Sequence, residues 1–170
     1  RVLNCFVACA FGRDDVDSIY RNCISKVFKE LDIKALRVDK ITFLGKIDIK
    51  ILNLMKKSDF CIADLTYARP SVYYEAGYCE GLNKKVIYTA REDHFRNEKN
   101  DVFGNNKIHF DLITQNIIQW EKPNNQFISK LKRTVISVSE PIRKELQERT
   151  EFNELSTVQK IENIRNYSRD

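Results

Sequence analysis

The sequence predicts an α/β fold: a three-layer sandwich on a mostly parallel sheet of about five strands, in flavodoxin-like or Rossmann-like order, with C-terminal helices. Two observations carry that expectation. Apolar runs of strand length alternate with helical patterns from Val2 to Trp120. One stretch, Ser58 to Ile87, spells out the repeating unit. An apolar run from Phe60 to Ala63 ends on Asp64, and a loop turns at Arg69-Pro70. A helical pattern then carries Glu75 close to its first turn, and a second apolar run, Val86 to Thr89, closes the unit. Strand, loop, helix and strand in that order pair their strands in parallel. Ligands of open α/β sheets sit beyond the carboxyl ends of the strands, so Asp64 and Glu75 are both expected on that rim.

The other elements follow in chain order. Val2 to Ala10 is an apolar strand, too short for a buried helix, ending in the loop Phe11-Gly12-Arg13. Asp14 or Asp15 can cap the next helix, whose apolar positions from Val16 to Leu31 recur at three and four. Ile33 to Val38 reads as a strand, Asp39 to Lys46 as a loop, and Ile47 to Met55 as a helix with Asp48 at its start. Arg91 to Asn106 is polar and reads as an excursion over the sheet. Ile108 to Leu112 and Ile117 to Trp120 supply one or two further strands. Asn124-Asn125 can cap a long helix, and Pro141 starts or kinks another. The domain is expected over residues 1–140, with a C-terminal helical extension over 141–170.

The bulk numbers bound the function. A chain of 170 residues suits one domain with a real core. No apolar run approaches membrane-spanning length. Because the chain begins at Arg1, a fragment or a processed product is expected. The net charge of +5 permits an anionic ligand. The cations are interspersed with carboxylates, and no basic block interleaves with aromatics, so nucleic acid is not expected as a partner. The five cysteines lack a C-x-x-C pair and lie mostly in apolar runs, which fits buried free thiols in a reducing cytoplasm. His94 and His109 lack ligand spacing, and neither a metal nor a cofactor is expected.

Candidate chemistry gathers on the rim: the Phe11-Gly12-Arg13 loop, Asp48, Asp64 and Glu75. Each has a bland reading. Gly12 can simply make a turn, Asp48 can favour a helix N-terminus, Asp64 can cap a turn, and Glu75 can be solvated. Glu75 however sits among Tyr73, Tyr74, Ala76 and Gly77, an apolar neighbourhood for a carboxylate. A partly desolvated carboxylate beside a second one is how acid and nucleophile pairs are built.

The pattern A-D-L-T, then Ser71 to Tyr78 as S-V-Y-Y-E-A-G-Y, then G-L-N-K-K-V-I, resembles the nucleoside 2-deoxyribosyltransferase-like superfamily. That superfamily includes nucleoside deoxyribosyltransferases and nucleotide N-glycosidases. The resemblance covers about Leu3 to Arg91 and includes V-A-C-A-F-G and G-K-I-D-I-K-I-L. It implies Glu75 as nucleophile and Asp48 as the acid near the sugar and the departing base. It implies contacts to sugar and phosphate from Phe11, Gly12 and Arg13. Ser71 and Val72 match the loop before the nucleophile, and Asp64 and Arg69 complete the substrate-binding set. An oligomer, a dimer or larger, is implied as well. Two positions depart from the pattern. The first strand reads Cys5-Phe6-Val7, without the tyrosine that touches the nucleophile in many members. Arg69 stands where deoxyribosyltransferases hold the base with an acid, which suits a phosphorylated ligand.

Three functions follow as expectations. The first is an N-glycosidase or N-deoxyribosyltransferase acting on a small nucleoside or nucleotide, the hydrolase favoured by Arg69 and the basic balance. The second is a NAD glycohydrolase resembling Toll/interleukin receptor-type domains. The third is a nucleotide-sensing module of a larger signalling or defence protein, without turnover.

Overall fold

The computed structural model describes residues 1–38, 47–95, 107–108, 112 and 115–167, without the side chains of 47, 48, 95, 155, 156, 158, 160 and 162–167. The expected loop from Asp39 to Lys46, and the excursion beyond position 95 as far as Asn106, lie outside the described residues. Two compact units form, Arg1–Val138 and Ser139–Asp170.

The first unit is built on five strands: β1 (Leu3–Ala8), β2 (Ile33–Leu36), β3 (Phe60–Asp64), β4 (Val86–Arg91) and β5 (Ile118–Trp120). All pair in parallel, in the order β2-β1-β3-β4-β5. This is the flavodoxin-like order expected from the sequence. The helices are α1 (Asp14–Ile19), α2 (Ser25–Glu30), α3 (Ile47–Lys57), α4 (Pro70–Gly81) and α5 (Asn125–Tyr167). The chain leaves β2 on one side of β1 and returns as β3 on the other. Beyond the carboxyl ends of β1 and β3 that reversal opens the crevice where ligands of such sheets bind.

Strand alternation sorts the core into two faces. Phe6, Ala8, Cys61, Ala63, Tyr88 and Ala90 pack with Met55 of α3 and with Val72, Ala76 and Cys79 of α4. Phe60, the alternate residue on β3, meets Phe28 of α2 edge-on at 6.5 Å between ring centroids. The residues of β3 are all buried, as a strand covered on both faces requires. All five cysteines are buried free thiols.

Several boundaries differ from the sequence reading. Arg13, not Asp14 or Asp15, is the N-cap of α1, and the aspartates lie in its first turn. There their charge complements the helix dipole. The helix over Val16 to Leu31 is interrupted by a π-helical segment, Tyr20–Ile24. The three- and four-residue recurrence of apolar positions does not signal it. Asn124 does cap α5: its Oδ1 accepts the Phe127 N–H at 2.8 Å. Of the apolar run Ile108 to Leu112, the described Ile108 and Leu112 are not in a strand, although Ile108 is buried. Glu75 falls in the second turn of α4 rather than the first, because the helix begins at Pro70.

The second unit is helical from Ser139 to Tyr167, and the helix runs through Pro141 without ending. A proline removes its own bond to the carbonyl four residues back and its ring crowds that carbonyl, a cost that is lowered on an exposed turn, where water can bond the freed oxygen. Arg149 pairs with Glu145 at 2.6 Å, and Lys144 with Glu148 at 3.9 Å. Such exposed pairs stabilise a helix by only about 0.3–0.5 kcal/mol each. No described helix is long and apolar enough to cross a membrane.

Candidate functional site

Glu75 is the carboxylate that the fold sets apart. Its place on α4 turns it toward α3, into a cavity of about 350 Å³ lined with Ile51, Leu52, Ser71 and Tyr74. Burial raises its pKa from 4.5 to about 7 by desolvation. Among the described residues no cation offsets that cost, so the carboxylate is held in an environment that disfavours its charge. Ser71 is exposed on the preceding turn of the same helix flank. Asp48 is placed on α3 one turn before Ile51 and Leu52, which line the cavity, but its side chain lies outside the described residues.

Asp64 does not pair with Glu75. It is 1 % exposed, on the sheet face away from α4. Thr89 Oγ1 and Trp120 Nε1 donate to its Oδ2 at 2.6 and 2.7 Å, and the Thr66 N–H donates to its Oδ1 at 3.1 Å. Burial raises its pKa, opposed by these donors. The carboxylate ties the ends of β3, β4 and β5 together and starts the turn after β3. The reason for the separation is the two-residue alternation of β3, which sends position 64 with Phe60 and opposite to Ala63. Val72, expected beside the ligand, is likewise 1 % exposed and packs in the core.

The loops after β1 and β3 meet at Tyr67. Gly12 turns the first loop at φ +80°, and its N–H donates to Asp17 Oδ2 at 3.1 Å. A left-handed φ of this kind favours glycine. Phe11 lies under the Arg37 guanidinium at 4.5 Å, and Arg13 lies over the Tyr67 ring at 4.9 Å. Tyr67 donates to Asp15 Oδ2 at 2.9 Å. Arg91 Nη1 donates to the same Asp15 oxygen and, at 3.1 Å, to the Tyr67 hydroxyl oxygen. Arg91 Nε donates to Asp93 Oδ1 at 2.7 Å, and His94 Nδ1 lies 2.7 Å from that oxygen. Arg91, with His94 as a lesser contributor, holds the Asp93 carboxyl at about 2. Arg69 caps α4 from the exposed end of the loop after β3.

This network was not anticipated from the sequence. Tyr67 and Asp15 are 52 residues apart, and Arg91 and Asp15 are 76 apart. No local spacing encodes such a cluster. Its backbone carries a mark of its own: Tyr67 and Ala68 are both left-handed, at φ 68° and 43°. Non-glycine residues there cost about 1–2 kcal/mol each. The clamp on the Tyr67 hydroxyl holds the strained turn that leads into Pro70 and hence into α4. Replacing Ala68 with glycine is expected to raise stability by about 0.5–1 kcal/mol, read by urea denaturation. A loss would show that packing of the Ala68 methyl outweighs its strain.

The structure therefore brings Arg13 of the first loop against Tyr67 of the third, and Ser71 beside Glu75. It withdraws Asp64 and Val72 into the interior. Among the described residues no group of three His, Cys, Asp or Glu could hold a metal ion.

No family model and no curated protein matches the chain. Among solved structures it is similar to a 2-desoxiribosyltransferase from Leishmania mexicana, with 20 % identity and a TM-score of 0.45. The match covers 74 % of this chain and 85 % of that one. No residue role follows from a likeness at that distance.

Proposed function

We propose that the chain is an N-glycosidase or N-deoxyribosyltransferase that cleaves the base–sugar bond of a nucleoside or nucleotide through Glu75. The observation that carries this is the Glu75 carboxylate itself, desolvated to a pKa of about 7 in a cavity, with no hydrogen-bond or ion-pair partner among the described residues. Its motif, Y-E-A-G-Y, supports the same role. Cleavage of an N-glycosidic bond passes through an oxocarbenium-like state. In the ionised form Glu75 stabilises that positive charge better than a hydrated carboxylate would, because little solvent screens it. It then bonds to the anomeric carbon as an ester, while the departing base keeps the electron pair of the C–N bond. Asp48 is proposed as the acid that gives the base its proton. Water, or a second base, then takes the sugar and restores the carboxylate.

Phe11, Gly12, Arg13, Arg69 and Ser71 are proposed to contact the ligand, with the two arginines facing phosphate through their planar forks. Asp64 and Val72 are proposed as supports of the rim and of α4, not as contacts. A small nucleotide fits Arg69 and Arg13 better than a bare nucleoside, and the hydrolase is favoured over the transferase on that ground. An oligomer remains part of the proposal.

The test is incubation with nucleosides, nucleotides and NAD, followed by chromatography of released base. Faster release of base from nucleotides than from nucleosides is expected. Mass spectrometry of quenched enzyme should find one sugar on the peptide holding Glu75. Nicotinamide release from NAD alone would assign a NAD glycohydrolase instead. Nucleotide binding without any released base would assign a sensing module.

A further inference from the structure

Helix α4 has a second cavity on its other flank. It measures about 430 Å³ and is lined by Ala68, Pro70, Tyr73, Gly77, Glu80, Tyr88 and Leu112. Tyr73, Gly77 and Glu80 follow one another at four and three residues, so they share one helix flank. Glu75 lies roughly half a turn around the helix from that flank, in a cavity with a separate lining. The two cavities are thus separate, with α4 as the wall between them.

The walls state what would fit. Tyr73, Tyr88, Pro70 and Leu112 offer apolar and aromatic surface, and the volume lies in the range of small-molecule sites. Gly77 leaves the helix side of the cavity open: a Cβ built there would meet nothing within 4 Å. Among the described residues Glu80 is the one charged group in the lining. The buried Tyr88 hydroxyl donates to its Oε1 at 3.0 Å. That bond orients the carboxylate and leaves Oε2 without a protein donor among the described residues. Burial and the Glu80 carboxylate both raise the pKa of Tyr88, so the phenol stays a donor to Glu80.

We propose that this cavity is a second small-molecule site, and that its occupant is a flat aromatic ring carrying amine or amidine N–H donors. The ring lies among the apolar walls, and its N–H groups meet Glu80 Oε2. An anionic ring of the same shape is rejected by the same carboxylate. The proposal does not depend on the role given to Glu75.

Titration of the full chain with benzamidine and with benzoate, followed by ¹H–¹⁵N NMR, separates the outcomes. Benzamidine should shift the amide signals of Gly77, Glu80 and Tyr88 with millimolar affinity, as befits so small a ligand. Benzoate should bind at least about tenfold more weakly, because it lacks the charge-assisted bond. Glu80→Gln should weaken benzamidine by about tenfold and leave the fold intact, since Glu80 is exposed. Gly77→Leu should fill the cavity and abolish the shifts: its Cβ would meet nothing within 4 Å, and helix propensity rises. Equal binding of benzoate, shifts centred on Ser71 and Tyr74, unchanged affinity in Glu80→Gln, or no benzamidine binding at all would each overturn the proposal.

Discussion

Glu75→Gln should lose activity and gain stability at once. Glutamine keeps the shape but cannot form the ester or stabilise an oxocarbenium charge, so base release should fall by on the order of a hundredfold or more. The stability change has the opposite sign. The folded-state pKa of Glu75 is raised from 4.5 to about 7. Between those values the folded protein binds the proton more tightly than the unfolded chain, so stability declines as pH rises through that window. Below the unfolded value Glu75 is protonated in both states and carries no penalty. Above about 7 the loss is complete, and at about 1.4 kcal/mol per pH unit it reaches roughly 3 kcal/mol at most. Solvent at the open side of the cavity reduces it, so about 1–3 kcal/mol is expected. Glutamine cannot ionise and escapes the penalty. The variant should therefore match the parent in urea unfolding near pH 4.5 and exceed it at pH 8. Equal stability at both pH values would show that Glu75 is solvated, and an active Glu75→Gln would place the chemistry on another carboxylate.

Asp64→Ala should unfold the rim without any direct effect on the chemistry. The substitution leaves the Thr89 hydroxyl, the Trp120 Nε1–H and the Thr66 N–H without their acceptor. Breaking a buried charged network of this kind costs about 3–5 kcal/mol. For a domain of this size the melting temperature should fall by on the order of 10 °C. Trp120 is the single tryptophan of the chain, so its emission reports the change directly. It should shift to longer wavelength as water reaches the indole. Asp64→Asn retains an acceptor oxygen and should lose clearly less. A change under about 1 kcal/mol in Asp64→Ala would mean that the network is incidental.

Much of the scaffold was legible in residue order. Phe60 to Asp64 and Val86 to Thr89 are apolar runs bounded by turn residues, and both are strands. Asn124 announces the start of α5 by its side chain alone. A carboxylate among tyrosines and small residues pointed to Glu75 as desolvated, and burial does raise its pKa. These are properties of neighbours in sequence, for which the 2.0 and 3.6 periods suffice. The same periods could have separated Asp64 from Glu75. Adjacency on the rim concealed that Asp64 follows the Phe60 face, whereas Glu75 belongs to a helix on the other.

Local order by itself determined the parallel α/β architecture, the element that carries Glu75, and the burial of the cysteines. The tertiary structure alone decided what each charged group is for. Asp64 became a buried tie only once Thr89 and Trp120 arrived from β4 and β5. Tyr67 acquired its clamp only when Asp15 and Arg91 met across the ends of β1, β3 and β4. The left-handed turn at Tyr67 and Ala68 has no glycine to announce it, because distant hydrogen bonds hold it against its local preference. Helical and strand periods encode which face a residue takes, whereas the partners on that face come from chain segments tens of residues away, brought there by packing of the sheet.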